Sequence, residues 1–579
     1  MKKLINSISD VIPEFLTGLV TLNPGLSVLG NSTTVVRSDI AESIAAGLVS
    51  IISGGGSGHE PAHGGYVGAG MLSAAVAGEV FTSPSTDAVL EAIRAVATPA
   101  GVLLIVKNYT GDRLNFGLAA EIARAEGVPV EMVVVADDVA LSRDGDHAGR
   151  RGLAGVVFVH KIAGAAASAG GGLLDIARIA REAAANLGTM GVALTACTVP
   201  AAGVPSFVLE EDEMEWGLGI HGEAGVQKSA IATADVVAER LLSTILADLA
   251  LQPGDRVAVL VNNLGGTAAM DLAIVAGSTV TALNGRGITV ERAWAGTFLT
   301  ALEMAGCSIT VLRLTDERLE LLDATARTSA WPAAHLGRVS TIDRLPIAFM
   351  AEPAAIDGPL NQGSAAARTL LAVCDALIDA EADLTELDRI VGDGDLGTSL
   401  ARAARGIQED AGEYPSESSP SALLASVSAT VRRVVGGTSG PLYSVMLLRA
   451  AMSLEDCHAV TDREWAAAFT AGVGGIMDIG GARPGDGTML DALEPASRTF
   501  ASAVEAGASA SDALGLALEA ARLGTEKTAG AISKRGRASY AGDRTIGHLD
   551  PGARAVVVWL DAISTVRATA KLSQNKVRG

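Results

Sequence analysis

The sequence predicts a multidomain fold, with an α/β part at the N-terminus followed by a C-terminal part made almost wholly of helices. Three observations carry this expectation. At 579 residues the chain exceeds what one hydrophobic core supports, so more than one domain is expected. Short β-branched runs at 49–52, 102–106, 130–135, 156–159 and 257–261 alternate with helix-like stretches. Beyond a stretch holding Pro332, Pro346, Pro353 and Pro359, apolar residues recur at helical spacing instead.

In order along the chain, residues 1–335 form the α/β domain, 336–363 an interdomain linker and 364–579 the helical domain. Strands that alternate with helices are expected to pair in parallel, and loops at their carboxyl ends are the usual place for ligands. In the second part Leu371, Cys374, Leu377 and Ile378 fit one helical face, as do Leu423, Leu424, Val427, Val431 and Val434, and Leu514 with Leu518. The stretch 412–420, rich in Glu, Ser and Pro, reads as a solvated loop.

Composition excludes several classes. Hydrophobic residues make up 49% and charged residues 19%, which describes a globular chain, and 67 glycines with 3% aromatics point to small-residue packing. A formal charge of -21 repels phosphate backbones, so nucleic acid is not an expected partner. Any phosphorylated ligand must be met by local amides, basic side chains or metal. Cys197, Cys307, Cys374 and Cys457 form no CxxC pair, so neither a zinc site nor a disulfide framework is indicated. The start has no sustained apolar run and no segment is long enough to cross a bilayer, so a cytoplasmic protein without a membrane partner is expected.

Three glycine-rich stretches of the first part carry polar groups. Residues 53–63 (SGGGSGHEPAH) follow the first strand; they match neither the dinucleotide fingerprint nor a P-loop, and read as a tight turn or as amides facing a small polar ligand. Lys107 and Asp112, in KNYTGD, stand at the carboxyl end of the strand at 102–106. His221 lies among Gly217, Gly219, Gly222 and Gly225, which leave its ring open, and Glu223 is placed to fix its tautomer. In the second part Asp388, Asp393 and Asp395 crowd a turn punctuated by Gly392, Gly394 and Gly397. Such carboxylates either point apart into water as a surface turn or surround hard cations such as Mg²⁺. Thr438-Ser439-Gly440-Pro441 reads as a helix start, with hydroxyls and free amides for phosphate oxygens.

With these motifs in place, the chain resembles the single-chain dihydroxyacetone kinase family, which fuses a DhaK-type substrate domain to a DhaL-type nucleotide domain. The resemblance rests on GGGSGHEPAH at 54–63, KNYTGD at 107–112, GIHGE at 219–223, LDRIVGDGDLGTS at 387–399, GGTSGPLY at 436–443, GDGTMLDAL at 485–493, and GRASYAG to DPGA across 536–553. It implies an N-terminal α/β domain in two lobes that forms a homodimer, and a C-terminal barrel of antiparallel helices. It implies that His221 forms a covalent hemiaminal with a ketose and that Gly56, Ser57, Gly58 and His59 line the substrate site. Lys107 and Asp112 contact hydroxyls, with Asp112 as base and His59 as its helper. By the same resemblance Asp388, Asp393 and Asp395 hold two Mg²⁺ ions. ATP is met by Asp395, Leu396, Gly397, Thr398, Thr438, Ser439, Gly480, Thr488, Met489, Arg537, Asp550, Pro551 and Gly552.

Two departures stand out: many relatives have histidine where Leu396 stands and a basic residue where Gly487 stands. The implied activity is ATP-dependent phosphorylation of a terminal hydroxyl of dihydroxyacetone or of D- or L-erythrulose. A sugar-phosphotransferase-linked relay component, or a lyase that cleaves FAD to cyclic FMN, is the alternative.

Overall fold

The computed structural model describes residues 3–141, 149–332, 339, 359–416, 418–455, 457, 460–535, 539, 542 and 545–578. The chain divides into two compact units, residues 1–346 and 347–579. Most of the expected linker, and Arg537 among the expected site residues, lie outside the described residues.

The first unit runs α1 (Val11–Leu22), β1 (Leu26–Val28), β2 (Thr34–Arg37), α2 (Ile40–Ala45), β3 (Ser50–Ser57), β4 (Ala74–Val80), α3 (Thr86–Val96), β5 (Val102–Lys107), α4 (Thr110–Ala125), β6 (Val130–Val135), α5 (Val156–Ser168) and α6 (Leu173–Ala185). It continues with β7 (Leu187–Ala193), β8 (Glu213–Trp216), β9 (Gln227–Ala230), α7 (Ala234–Asp248), β10 (Arg256–Asn263), α8 (Ala269–Gly285), β11 (Thr289–Gly296), β12 (Gly306–Arg313) and α9 (Asp316–Asp323). Its strands form two six-stranded sheets, ordered β1-β2-β4-β3-β5-β6 and β11-β10-β12-β7-β8-β9.

In the first sheet β4, β3, β5 and β6 pair in parallel, as the alternating pattern predicts. The second sheet departs from it. Only β10 and β11 are parallel there; β12 runs antiparallel to both β10 and β7, and β8 and β9 extend the sheet as an antiparallel ribbon. Apolar runs buried on both faces signal strands but say nothing of direction, and the connection that decides it is set by topology.

A second correction concerns 156–159. Val156, Val157, Phe158 and Val159 open helix α5 rather than a strand. This helix packs against β3, β5 and α6 and is buried around nearly its whole circumference, so it shows no polar face that would betray a helical period. The core that surrounds it draws Ile51, Leu103 and Ile105 from the first sheet and Ala258 and Leu260 from the second. The outer faces of the sheets are covered separately, the first by α3 and α4 and the second by α7 and α8.

The second unit is helical throughout, with α10 (Ala365–Asp379), α11 (Glu381–Val391), α12 (Leu396–Asp410), α13 (Pro420–Val434), α14 (Ser439–Ser453), α15 (Asp462–Gly480), α16 (Leu490–Glu505), α17 (Ala510–Thr528) and α18 (Pro551–Arg578). From α12 to α18 each helix packs on the next; α18 then closes onto α10, which packs on α12, making a ring of helices. The expected apolar faces pack inward, with Cys374, Val427 and Val431 in one cluster and Leu518 in another.

The stretch at 412–420 is not wholly solvated. Tyr414 is buried, its hydroxyl is hydrogen-bonded to Thr430 at 2.8 Å, and its carbonyl accepts the Leu360 N–H. An aromatic ring among Glu, Ser and Pro is the anchor that a composition-based reading overlooks. Pro420 opens α13.

Candidate functional site

In the first unit the polar groups gather where β3 and β5 end. The glycine stretch is not a turn after β3; Gly54 to Ser57 are its last residues, fully buried. At Gly58 the backbone leaves the strand with φ +95°, and a Cβ there would lie 2.9 Å from the Phe81 ring and 3.1 Å from Leu302. The Glu60 carboxylate accepts the Gly58 N–H and locks the bend.

His59, fully buried, follows at once. Its Nδ1 lies 2.7 Å from the Thr300 carbonyl, and its Nε2 lies 3.1 Å from Nε2 of His221. Glu223 holds His221 from the other side: Oε1 is 3.0 Å from ring Nδ1, and Oε2 accepts the His221 N–H at 2.9 Å. A carbonyl and a carboxylate accept only, so both Nδ1 atoms carry protons. The two Nε2 atoms can then touch only while a single further proton lies between them. Burial, then the charge of Lys107 and the neighbouring His221, pushes His59 well below the ordinary imidazole value. Phe81, with φ +59°, stacks on His59 at 5.0 Å, and the edges of Phe81 and Tyr109 meet the His221 ring at 5.0 and 4.6 Å.

Lys107 is the last residue of β5 and Asp112 sits in the first turn of α4. Both face Gly55: a Cβ on that glycine would lie 3.4 Å from Asp112 Oδ2 and 3.5 Å from Lys107 Nζ. The Lys107 ammonium is fully buried and has no hydrogen-bond partner among the described residues. Burial lowers it, and Asp112 is the first of four carboxylates that oppose this. Asp112 is raised by burial against the pull of Lys107 and a hydrogen bond from Ser83. A buried ammonium that donates no hydrogen bond among the described residues, beside a carboxyl and an imidazole nitrogen, is able to bind hydroxyls and a carbonyl.

In the second unit Asp388 lies in the last turn of α11 and Asp395 immediately precedes α12. The Asp388 carboxylate is buried, and its Oδ2 accepts the main-chain N–H of Asp395 at 2.8 Å and of Leu396 at 3.1 Å. Gly394, at φ +75°, lets the turn fold back. One carboxylate oxygen from each of Asp388, Asp393 and Asp395 then lies within 4.8 Å of the others. That donor set of three hard oxygens suits Mg²⁺.

Other helix starts converge on this end. Leu396 clusters with Ala555 of α18 and Tyr443 of α14, and a Cβ on Gly552 would lie 3.3 Å from Met489 Cβ. Asp550 caps α18 by accepting the Ala553 N–H at 2.7 Å, and stands close enough to Asp491 and Asp388 that burial and their charges push it up to about 7. Thr438 and Ser439 open α14, with Pro441 at its third position rather than its first, and Gly480 ends α15 beside Leu442. Thr398 donates to the Asp395 carbonyl, and Thr488 donates its N–H to Asp491.

Several groups escaped the sequence reading. Thr300, which orients His59, lies far away in the chain and has no local signature. Phe81 is marked only by its backbone angle. Asp491, which ties down the amides of Gly485 and Thr488, does carry a signal, since Thr488-x-x-Asp491 is a helix-start pattern.

Comparisons with known proteins identify both units. Residues 17–330 match the Dak1 domain and residues 390–565 the DAK2 domain. Triokinase/FMN cyclase of Homo sapiens is 44% identical over 575 residues, covering 98% of this chain and 99% of that protein. L-erythrulose 1-kinase of Mycolicibacterium smegmatis is 37% identical, covering 97% and 99%. The crystal structure of the dihydroxyacetone kinase from C. freundii in complex with AMP-PNP and Mg²⁺ superposes with a TM-score of 0.63 at 35% identity, covering 97% of this chain and 99% of that one. A Dak1 domain followed by a DAK2 domain in one polypeptide, with relatives matched over nearly their whole length, show that the chain belongs to the fused Dak1–DAK2 dihydroxyacetone kinase family.

Proposed function

We propose that this protein transfers the γ-phosphoryl group of ATP to a terminal hydroxyl of a short ketose, dihydroxyacetone or an erythrulose, held as a covalent adduct on His221. The observation that carries the reading is the imidazole pair: Nε2 of His221 is the one ring nitrogen left to act, because Glu223 occupies Nδ1. A nitrogen lone pair adds to a carbonyl carbon and not to an alcohol, which admits a ketose and excludes glycerol.

In the capture step the N–C bond forms as the carbonyl π pair moves onto oxygen. That oxygen takes the proton that lay between the two imidazoles, and the Glu223 carboxylate compensates the charge left on the alkylated ring. Lys107 donates to the ketose oxygens. Asp112 accepts the proton of the terminal hydroxyl as its oxygen attacks the γ-phosphorus, with His59 as helper, and ADP leaves. Asp388, Asp393 and Asp395 hold Mg²⁺, two ions in our reading. When bound, the metal offsets the charge of the polyphosphate and polarises the group in transfer. The amides and hydroxyls at the starts of α12, α14 and α18 face the nucleotide. We further propose a homodimer through the first unit and residence in the cytoplasm.

His221→Ala is the test: ketose phosphorylation disappears while ATP binding persists, and retained turnover would remove the adduct from the mechanism. The same variant separates a second reading, prompted by the relatives named triokinase/FMN cyclase. FAD cleavage to cyclic FMN with Mn²⁺ at the same aspartates would survive the loss of His221. A phosphotransferase-linked relay would instead retain ADP tightly, and rapid exchange of ADP for ATP in a filter-binding assay would exclude it.

A further inference from the structure

Residues 149–155 pass close to the ends of β5 and β6, where a Cβ on Gly152 would meet the Val135 carbonyl at 2.7 Å and Lys107 Cβ at 2.8 Å. From this segment Arg151 reaches toward the loop that carries His221. Its side chain is 11% exposed, and that of its partner Asp138 is fully buried. Nε and Nη2 both meet Asp138 Oδ2, at 2.7 and 2.6 Å, and Nη2 also donates to the Gly217 carbonyl at 2.7 Å. Asp138 is fixed in turn, with Oδ1 accepting the Ala140 N–H and its own N–H donating to the Arg151 carbonyl.

A guanidinium is a rigid planar fork, so anchoring two of its nitrogens decides where the third points. Nη1 points at Gly219. A Cβ on Gly219 would lie 2.7 Å from Arg151 Nη1 and 2.1 Å from Glu223 Oε2, so only a glycine fits between the cation and the carboxylate that orients His221. Arg151 therefore holds the first residue of the loop and faces the carboxylate near its end.

We propose that Arg151, anchored by Asp138, is a positioning residue for ketose capture: it pins the loop at Gly217 and keeps the Glu223 carboxylate against Nδ1 of His221, so that Nε2 stays aimed at the ketone. The proposal rests on the capture reading given above. A residue that works through Glu223 must lose its influence when Glu223 is gone, whereas one that merely supports the fold acts independently of it.

The test is a double-mutant cycle on the full chain with dihydroxyacetone and MgATP. Arg151→Gln lowers kcat/KM for the ketose by about 10- to 30-fold, the lower part of the range seen when outer partners of a metal-ligating histidine are removed and no more than the loss of the Glu223 carboxylate itself costs. KM for ATP is unchanged. In a Glu223→Gln background the same substitution costs less than about 3-fold. Equal losses in both backgrounds, or no loss in the parent, overturn the proposal. Should circular dichroism show Arg151→Gln unfolded, Arg151→Lys, which keeps the charge and gives up the fork, goes through the same cycle with the same two readings. His221→Ala run alongside keeps the two ideas apart: retained ketose turnover there refutes capture itself, and abolished turnover together with additive losses sinks the role of Arg151 alone.

Discussion

Replacing Glu223 with glutamine tests how much the carboxylate does for His221. Burial alone would raise this carboxyl, but the hydrogen bond and charge of the His221 ring, with main-chain amides, outweigh it and hold it at about 2 against an ordinary 4.5. At roughly 1.36 kcal/mol per pH unit, the displacement corresponds to about 3 kcal/mol of preference for the ionised, ring-bound form. The side chain is 36% exposed, and solvent screening brings this to ~1–2 kcal/mol. An amide of the same shape forfeits that charge, so kcat/KM for dihydroxyacetone falls about 5- to 30-fold in a coupled assay of ADP release. The sign with pH follows from the depressed value. The contribution is in full force above about pH 4.5 and is lost as the pH falls toward 2, so the defect is the same across the neutral range. A variant with parental kcat/KM, or one whose whole defect lies in KM for ATP, would refute the reasoning.

Two further outcomes can be checked directly. Asp393→Asn removes one of three convergent oxygens and raises the Mg²⁺ concentration for half-maximal ATP binding roughly 10-fold, about 1.4 kcal/mol, by calorimetric titration; unchanged metal dependence contradicts the ligand assignment. His160, buried with its Nε2 3.0 Å from His63 Nδ1, is pushed down to about 3 by burial and then by the charge of Lys107. The unfolded chain binds a proton at this residue below about pH 6.5 and the folded chain does not. The contribution of His160 to urea stability therefore drops by about 2 kcal/mol from pH 6.5 to 5; His160→Gln removes that part of the slope, and identical pH slopes in parent and variant would disprove it.

What the sequence made legible followed from spacing. Asp388, Asp393 and Asp395 are close in the chain and glycines between them announce a turn, so their proximity was legible, while the choice between splayed and convergent carboxylates was settled only by the folded turn. The strands at 102–107 and 130–135 stood out because alternation with helices brackets them. Partners distant in sequence stayed hidden: His59 meets Thr300 and His221 only because two sheets bring their edges together, which no local pattern encodes. The helix at 156–168 escaped for the opposite reason, since a rod buried on every side is as uniformly apolar as an interior strand.

That buried rod has a bearing on how the capture centre is kept intact. His59 belongs to the end of β3, while His221 belongs to the loop beyond β8, one ring hung from each sheet. Because α5 is wedged in the shared interior, sliding one sheet past the other would tear its packing on both flanks at once. The spacing of two rings at the rim is thus guarded by a helix that carries neither of them.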